Sequence, residues 1–175
     1  SWDVLRGFIS AAADQVRAVL PDVPVMASSA AENQASVRAG MLNKLGLDIL
    51  GVTDYNDTGD ATPAKDLHVS TPVWLTEMGT LDPAVSDDVH TATTLKFYQT
   101  ARDGGYRAAF YGCYGDKSVT DGVTLIDAAG RLRLAALSLH FTILDNAYER
   151  AGQEEYDAPV LMNITSASSL RWIGT

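Results

Sequence analysis

Five polar side chains near the ends of short apolar runs have the chemistry of a binding or catalytic site. They are Glu77, Tyr55, Tyr111, Asn56 and Asp116. A carboxylate can act as acid, base or nucleophile, a tyrosine can donate a hydrogen bond or stack on a sugar ring, and an amide can bind hydroxyl groups. Since the sequence contains neither a GxGxxG nor a GxxxxGK[ST] phosphate loop, the set suits a polyhydroxylated neutral ligand better than a nucleotide.

Several of these residues also have a purely structural interpretation. Glu77 can be a carboxylate at the rim of a sheet, held in a salt bridge. Tyr55 can be an ordinary amphipathic rim tyrosine, and Tyr111 can belong to the core. Trp74 lies inside the apolar run at residues 73–75, and we expect it in the core.

The remaining polar residues show no catalytic pattern. Ser28 and Ser29 have no histidine placed to activate them, so we interpret them as loop-forming. The aspartates of the polar segment 54–60 lack the spacing and the closing glutamate of an EF-hand, and a solvated loop is expected there. The three histidines of the chain show no ligand spacing, and we predict no metal site and no cofactor.

The elements that must position the candidate residues alternate between helices and strands. Amphipathic spacing predicts the helices, and short apolar runs predict the strands. The predicted helices cover residues 1–20, 32–45, 85–103 and 131–150, and the predicted strands cover residues 23–29, 47–53, 73–79 and 106–114. This alternation indicates an α/β fold with parallel strands and right-handed helical crossovers.

Two α/β architectures fit this order of elements. One is half of an eight-stranded (β/α) barrel, and the other is a small open doubly wound sheet. In both architectures ligands bind at the carboxyl ends of the strands, which is where the five candidate residues fall.

Gly46 is placed to end the second predicted helix, at residues 32–45, in a left-handed conformation.

The bulk composition narrows the classes of function. The chain has 175 residues, of which 46% are hydrophobic, and a formal net charge of −9. This acidity argues against binding to a nucleic-acid backbone or an anionic membrane. The single cysteine, Cys113, cannot form a disulfide within the chain, and no apolar run approaches the ~18 residues of a membrane span. The sequence opens directly into a predicted helix, so we expect it to be part of a longer protein.

The strand ends resemble a known family of enzymes. The stretch WLTEMG at residues 74–79 resembles the end of the seventh strand in the retaining glycoside hydrolases of clan A, the cellulase and mannanase group. Residues 47–55 resemble the sixth strand, with Thr53 where a histidine is usual. Residues 108–116 resemble the eighth strand, with Tyr111 where a tryptophan is usual.

This resemblance implies a fold and a set of roles. Residues 1–150 would form strands five to eight, the second half of a TIM barrel. Glu77 would be the nucleophile, Tyr55 would hydrogen-bond it, and Tyr111 would form the floor beneath the sugar. The acid/base glutamate of the family would be encoded upstream of Ser1, so the N-terminal half of the same barrel is expected as a partner.

We therefore expect a retaining glycoside hydrolase that acts on a β-linked glycan or glycoside, with Asn56 and Asp116 as further substrate contacts. One alternative is a catalytically inactive barrel that binds carbohydrate or a protein partner. A third hypothesis is an independent doubly wound domain whose rim residues are structural. Residues 151–175 are predicted to be an extended tail that begins an accessory β segment. The resemblance favours an extracellular or periplasmic location, and we expect neither nucleic acid nor a membrane as partner.

Overall fold

The computed structural model of the chain describes residues 1–30, 40–80, 85–112, 124–127, 129–151, 161–164 and 170–173. The chain forms two compact units. The first comprises Ser1–Leu81 with Lys96–Gly112, and the second comprises Asp82–Leu95 with Cys113–Thr175. All of the candidate site residues that the structure describes belong to the first unit.

Four parallel strands form an open sheet in the first unit. They are β1 (Met26–Ala30), β2 (Ile49–Tyr55), β3 (Val73–Gly79) and β4 (Ala108–Tyr111). Their order in the sheet is β1-β2-β3-β4, and every neighbouring pair is parallel. The predicted α/β class with parallel strands is therefore confirmed. Because all four strands run in the same direction, their carboxyl ends lie along one edge of the sheet.

The fourth strand is shorter than the sequence predicts. It was expected over residues 106–114 but spans Ala108–Tyr111, and residues 113–120 lie outside the described part of the chain. Tyr106 precedes the strand because its backbone N–H donates to the carbonyl oxygen of Ala101 at 3.1 Å rather than to a neighbouring strand. Its side chain is buried, and its hydroxyl donates to the carbonyl oxygen of Thr62 at 2.7 Å. The described part of the predicted strand therefore consists of a buried tyrosine, Tyr106, followed by the four-residue strand β4.

Three α-helices and one 3₁₀ turn accompany the strands in the described residues. They are α1 (Trp2–Val19), α2 (Asp87–Gly104), α3 (Leu134–Ala151) and the 3₁₀ turn Ala64–Leu67. The Ser86 hydroxyl accepts a hydrogen bond from the backbone N–H of Val89, which caps the start of α2. At its other end Gly105 takes a φ of +87°, a left-handed conformation that ends the helix. None of these helices is long and apolar enough to cross a membrane.

The predicted helix at residues 32–45 is wrong in its described part. Residues 31–39 lie outside the described chain, and residues 40–46 form turns rather than a helix. Gly40, Lys44 and Gly46 have φ angles of +71°, +61° and +73°, and such left-handed residues interrupt a right-handed helix. Asn43 holds these turns to the segment before β3, because its side chain bonds the carbonyl oxygen of His68 and the N–H of Ser70.

The hydrophobic core of the first unit lies on one face of the sheet. Strands β2 and β3 contribute alternate residues to it, and the second half of α2 contributes further apolar side chains. Val52, Leu75 and Phe97 are each 0% exposed. Burying a side chain of this kind contributes about 1.5–3 kcal/mol. The core residues that come from β2 and β3 are Leu50, Val52, Val73, Leu75 and Met78.

The second unit contains the first half of α2, a turn, and α3. The N–H of Gly130 donates to the carbonyl oxygen of Asp127 at 2.9 Å, which closes the turn before α3. Arg133, next to the start of α3, forms an ion pair of 2.9 Å with Asp87 in the first turn of α2. The strands β5 (Leu161–Ile164) and β6 (Leu170–Ile173) pair antiparallel, in the region where the sequence predicts an extended tail.

Candidate functional site

A β-bulge at Thr76 sets the direction of Glu77. Val52 of β2 pairs with Leu75 of β3, and the next residue of β2, Thr53, pairs with Glu77. Strand β3 therefore contains one extra residue, Thr76, at this point. In a regular strand with no bulge, Glu77 would lie two residues after Leu75 and therefore on the same face, which is the core face. With the bulge, Met78 takes the core position and is 2% exposed, and Glu77 is exposed on the opposite face. We call that opposite face the Glu77 face.

The register shift is seen from both neighbours of β3. On the side of β4, Leu75 pairs with Ala109 and Met78 pairs with Tyr111, so three steps along β3 match two steps along β4. Bulges are frequent beside functional sites because they change the direction of one side chain without ending the strand. Here the change moves a carboxylate out of the core.

Glu77 and Tyr55 are the two predicted site residues that the structure brings together. The hydroxyl of Tyr55, the last residue of β2, donates a hydrogen bond to Oε2 of Glu77 at 3.1 Å. A hydrogen bond to a carboxylate is charge-assisted and therefore stronger than one between neutral groups. It fixes the orientation of the Glu77 carboxylate at the carboxyl ends of β2 and β3.

Two glycines make room for the Tyr55 ring. A Cβ added at Gly112 would overlap the Tyr55 hydroxyl oxygen and would lie 3.2 Å from the Cβ of Glu77. A Cβ added at Gly79 would lie 3.0 Å from Cε1 of Tyr55. The N–H of Gly112 donates to the carbonyl oxygen of Met78 at 2.9 Å, so its backbone is held against the end of β3. Sequence reasoning did not identify these two glycines as part of the site.

Tyr111 and Asp116 have different outcomes. Tyr111 is half-buried, pairs with Met78 and packs against the core cluster, which agrees with its structural interpretation. Its Cζ also lies 3.9 Å from the position of a Cβ at Gly79, beside Tyr55, so its role as a floor beneath a sugar stays a prediction. Asp116 lies outside the residues that the structure describes.

Asn56 organises the loop after β2. Its Nδ2 donates to Oδ1 of Asp54 at 2.9 Å, and its Oδ1 accepts hydrogen bonds from the backbone N–H groups of Thr58 and Gly59. This is the local side-chain turn typical of asparagine. The geometry supports a structural role for Asn56, and a contact with substrate stays a prediction.

The aspartates of the segment 54–60 differ in their environments. Asp54 belongs to β2 and is 4% exposed, so the expectation of a solvated loop is wrong at this position. Asp60 accepts a hydrogen bond from Lys96, which lowers the pKa of the Asp60 carboxyl. Within the described residues, no group of three or more His, Cys, Asp or Glu side chains is arranged to hold a metal ion.

A cluster of three hydroxyls lies beside Glu77 on the same face. Ser28 Oγ lies 2.7 Å from Thr76 Oγ1 and 3.2 Å from Thr53 Oγ1. The interpretation of Ser28 and Ser29 as loop-forming is wrong, because both belong to β1, where Ser28 pairs with Gly51 and Ser29 pairs with Val52. We call Ser28, Thr53 and Thr76 the hydroxyl cluster. The alternation of side chains along β1 could have indicated the face that Ser28 occupies. Its contacts with Thr53 and Thr76 could not be predicted, because they depend on how β1, β2 and β3 pair.

An aromatic pair lies further along the Glu77 face. The ring centroids of Trp74 and Phe110 are 5.8 Å apart, with an interplanar angle of 40°. Trp74 is half-buried and lies outside the core cluster, and Phe110 is 46% exposed. The expectation that Trp74 belongs to the core is therefore wrong, because it alternates with the core residues Val73 and Leu75 and points to the opposite face.

Comparison with known proteins gives a distant likeness. No family model matches the chain, and no curated protein matches it. Among solved structures, it is similar to a GH128 (subgroup II) endo-beta-1,3-glucanase from Sorangium cellulosum, with a TM-score of 0.39 and 16% sequence identity. The match covers 53% of this chain, and the chain spans 40% of the length of that enzyme.

Proposed function

We propose that this chain is the C-terminal half of a (β/α)₈ barrel in a retaining glycoside hydrolase, with Glu77 as the nucleophile. The substrate is a β-linked glycan or glycoside. The observation that carries this proposal is the bulge at Thr76, which turns Glu77 out of the core at the carboxyl end of a parallel strand. In (β/α) barrels the catalytic residues come from these strand ends.

The proposed reaction has two steps. In the first, a Glu77 oxygen attacks the anomeric carbon and forms an ester, the bond to the leaving oxygen breaks, and the acid/base residue protonates that oxygen. In the second, the same residue takes a proton from water, the water oxygen attacks the anomeric carbon, and the ester bond to Glu77 breaks. The two inversions together retain the β configuration.

The Tyr55 hydrogen bond has a clear task in this scheme. A nucleophilic carboxylate must present one oxygen to the anomeric carbon while the other is held in place. The Tyr55 hydroxyl bonds Oε2 of Glu77, which leaves Oε1 to attack. Holding the carboxylate in one orientation reduces the entropy that the reaction must otherwise lose.

The proposal includes an N-terminal half-barrel that supplies the acid/base residue. A retaining enzyme needs a second carboxyl group about 5 Å from the nucleophile, and we assign it to sequence upstream of Ser1. The surface of α1 supports such a partner. Val4, Phe8 and Val19 are 72%, 70% and 76% exposed, although Trp2 and Ile9 of the same helix pack against the core.

The edge of the sheet supports the same partner. Among the described strands, β1 pairs with β2 alone, so the other edge of β1 is open. Open strand edges and exposed apolar helix faces favour association with another segment. A preceding strand paired with β1, together with a helix packed on α1, would cover both.

A second candidate function is carbohydrate binding without cleavage. Thr53 stands where the resembled family usually has a histidine, and it is hydrogen-bonded within the hydroxyl cluster. This departure favours a barrel that keeps its ligand site but has lost turnover. The two candidate functions can be distinguished by one measurement, because only the hydrolase releases new reducing ends from a glycan.

The test is hydrolysis of β-linked glycans by the full-length protein and by its Glu77→Gln variant. We expect the wild type to release products whose first-formed anomer is β, as observed by NMR, and the variant to lose activity by about 10³-fold or more. The isolated 175-residue chain should be inactive. Binding without hydrolysis by the wild type would favour the second candidate, and an α product would contradict the retaining mechanism.

A further inference from the structure

One order of protons satisfies the hydrogen bonds of the hydroxyl cluster together. Thr76 donates its proton to the carbonyl oxygen of Val52 at 3.1 Å, since a carbonyl can only accept. A hydroxyl has one proton and two lone pairs, so the 2.7 Å bond between Ser28 and Thr76 requires Ser28 as the donor. Ser28 has then used its proton, and the 3.2 Å bond to Thr53 requires Thr53 as the donor.

This order leaves the cluster rich in acceptors. The proton of Thr53 points to Ser28, that of Ser28 to Thr76, and that of Thr76 to the Val52 carbonyl. No proton of the three hydroxyls is left for another group. Thr53 Oγ1 also lies 3.5 Å from Thr76 Oγ1, and since the Thr76 proton points to the Val52 carbonyl, Thr53 accepts no proton from the other two hydroxyls and keeps its lone pairs. A chain of this kind also polarises its members, which strengthens the acceptor at its open end.

The open end of the chain lies next to the proposed nucleophile. Thr53 and Glu77 are register partners on adjacent strands, β2 and β3. Thr53 is half-buried and Ser28 is exposed, so another molecule can reach the Thr53 oxygen. Gly51 keeps this arrangement compact, because a Cβ there would lie 2.8 Å from Cγ2 of Thr76 and 2.9 Å from Cβ of Ser28.

We propose that the hydroxyl cluster is a ligand subsite in which Thr53 Oγ1 accepts a hydrogen bond from a hydroxyl group of a carbohydrate held at Glu77. The inference rests on the proposed function, and it assigns the subsite a polarity. The recognised ligand group is a donor, because the protein protons of the cluster are already committed. A ligand group that only accepts, such as a fluorine or an ether oxygen, gains nothing from this subsite.

The test measures equilibrium binding in the full-length protein with Glu77→Gln as the parent, so that no turnover disturbs the titration. The probes are cellotetraose and laminaritetraose, two neutral β-linked tetrasaccharides, measured by calorimetry. Thr53→Val, which removes the hydroxyl at nearly constant shape, should weaken binding about 5- to 10-fold. Thr53→Ser keeps the acceptor and should stay within about twofold of the parent. The matched control is Thr71→Val, which lies before the start of β3, at the end of the strand away from Glu77, and should leave binding unchanged.

Modified ligands test the polarity of the subsite. Methyl β-cellobioside is compared with its monodeoxy and monofluoro derivatives in the parent and in Thr53→Val. At one position, deoxygenation should weaken binding to the parent but not to Thr53→Val, which identifies the recognised hydroxyl by its coupling energy. Fluorine at that position should weaken binding as much as deoxygenation, since fluorine cannot donate.

The outcomes separate this inference from the proposed function. If the parent binds the tetrasaccharides and Thr53→Val binds them equally well, the subsite assignment is wrong while the glycoside hydrolase proposal stands. If fluorine preserves the affinity that deoxygenation loses, Thr53 donates and the assigned polarity is wrong. If the parent binds none of the probes, the subsite assignment is wrong for β-glucans, and the hydrolysis of other β-linked glycans by the wild type decides the proposed function separately.

Discussion

The hydroxyl of Tyr55 lies 3.1 Å from Oε2 of Glu77, across two neighbouring parallel strands. The register pairs Tyr55 with Gly79 and Glu77 with Thr53, so the tyrosine side chain reaches toward the carboxylate of a residue that is not its direct partner. This contact requires the bulge that turns Glu77, and it requires small residues around the tyrosine ring. Glu77, Tyr55, Gly79 and Gly112 therefore form one structural unit.

Removal of the Tyr55 hydroxyl should lower activity without unfolding the protein. In Tyr55→Phe the carboxylate of Glu77 loses its charge-assisted hydrogen bond, and we expect kcat/KM of the full-length enzyme to fall about 10- to 100-fold. The midpoint of thermal unfolding should change little because the bond is exposed. An unchanged kcat/KM would show that the tyrosine has no part in the reaction.

Gly112→Ala should reproduce the effect of losing the Tyr55 hydroxyl. The added Cβ would overlap the Tyr55 hydroxyl oxygen, so the ring must move away from Glu77. We expect a loss of kcat/KM similar to that of Tyr55→Phe and no further loss in the double variant, because both changes remove the same interaction. Additive losses would contradict the shared mechanism.

Gly7→Ala is the matched control for that substitution. Gly7 lies within α1, and a Cβ added there meets no atom within 4 Å. Since alanine is favoured over glycine in a helix by about 0.5–1 kcal/mol, this variant should unfold at a slightly higher temperature and keep full activity.

His90 should make the protein less stable in mild acid. Burial and the Arg133 guanidinium lower the pKa of His90 below its usual value of 6.5, while Asp87 opposes them. As the pH falls below 6.5, the unfolded chain binds a proton at this histidine before the folded chain does, so stability is lost until the folded pKa is passed. Above 6.5 the histidine is neutral in both states and contributes no such loss.

The measurement is thermal unfolding at about pH 7.5 and about pH 5 for the wild type and His90→Gln. We expect the wild type to lose more stability than the variant over this interval. Equal losses would show that other groups cause the acid sensitivity.

The sequence predicts the class of fold well and the details of the site less well. Apolar runs such as residues 73–75 predict parallel strands because buried strands need apolar side chains on both faces. The bulge at Thr76 leaves no such mark, because it depends on pairing with β2 and β4 at the same time. Trp74 was misplaced for a related reason, since an apolar side chain in a run carries no sign of the face it occupies.

The parts of the site that come from long-range pairing were also missed. The hydroxyl cluster joins Ser28 to Thr76 across 48 positions of the sequence, and only the strand register brings these residues together. Gly112 could be read as a turn residue, but its closeness to the Tyr55 hydroxyl depends on where β4 ends. By contrast, the resemblance to clan A implied the contact between Tyr55 and Glu77, and both residues lie near the carboxyl ends of the neighbouring strands β2 and β3.

The most direct test of Glu77 as nucleophile is covalent labelling of the full-length protein with a β-configured cyclitol epoxide, followed by peptide mass spectrometry. The account predicts one label, on Glu77, that forms more slowly when a competing substrate is present and is absent from Glu77→Gln. A label on a different carboxylate, or hydrolysis that continues after complete labelling elsewhere, would contradict it.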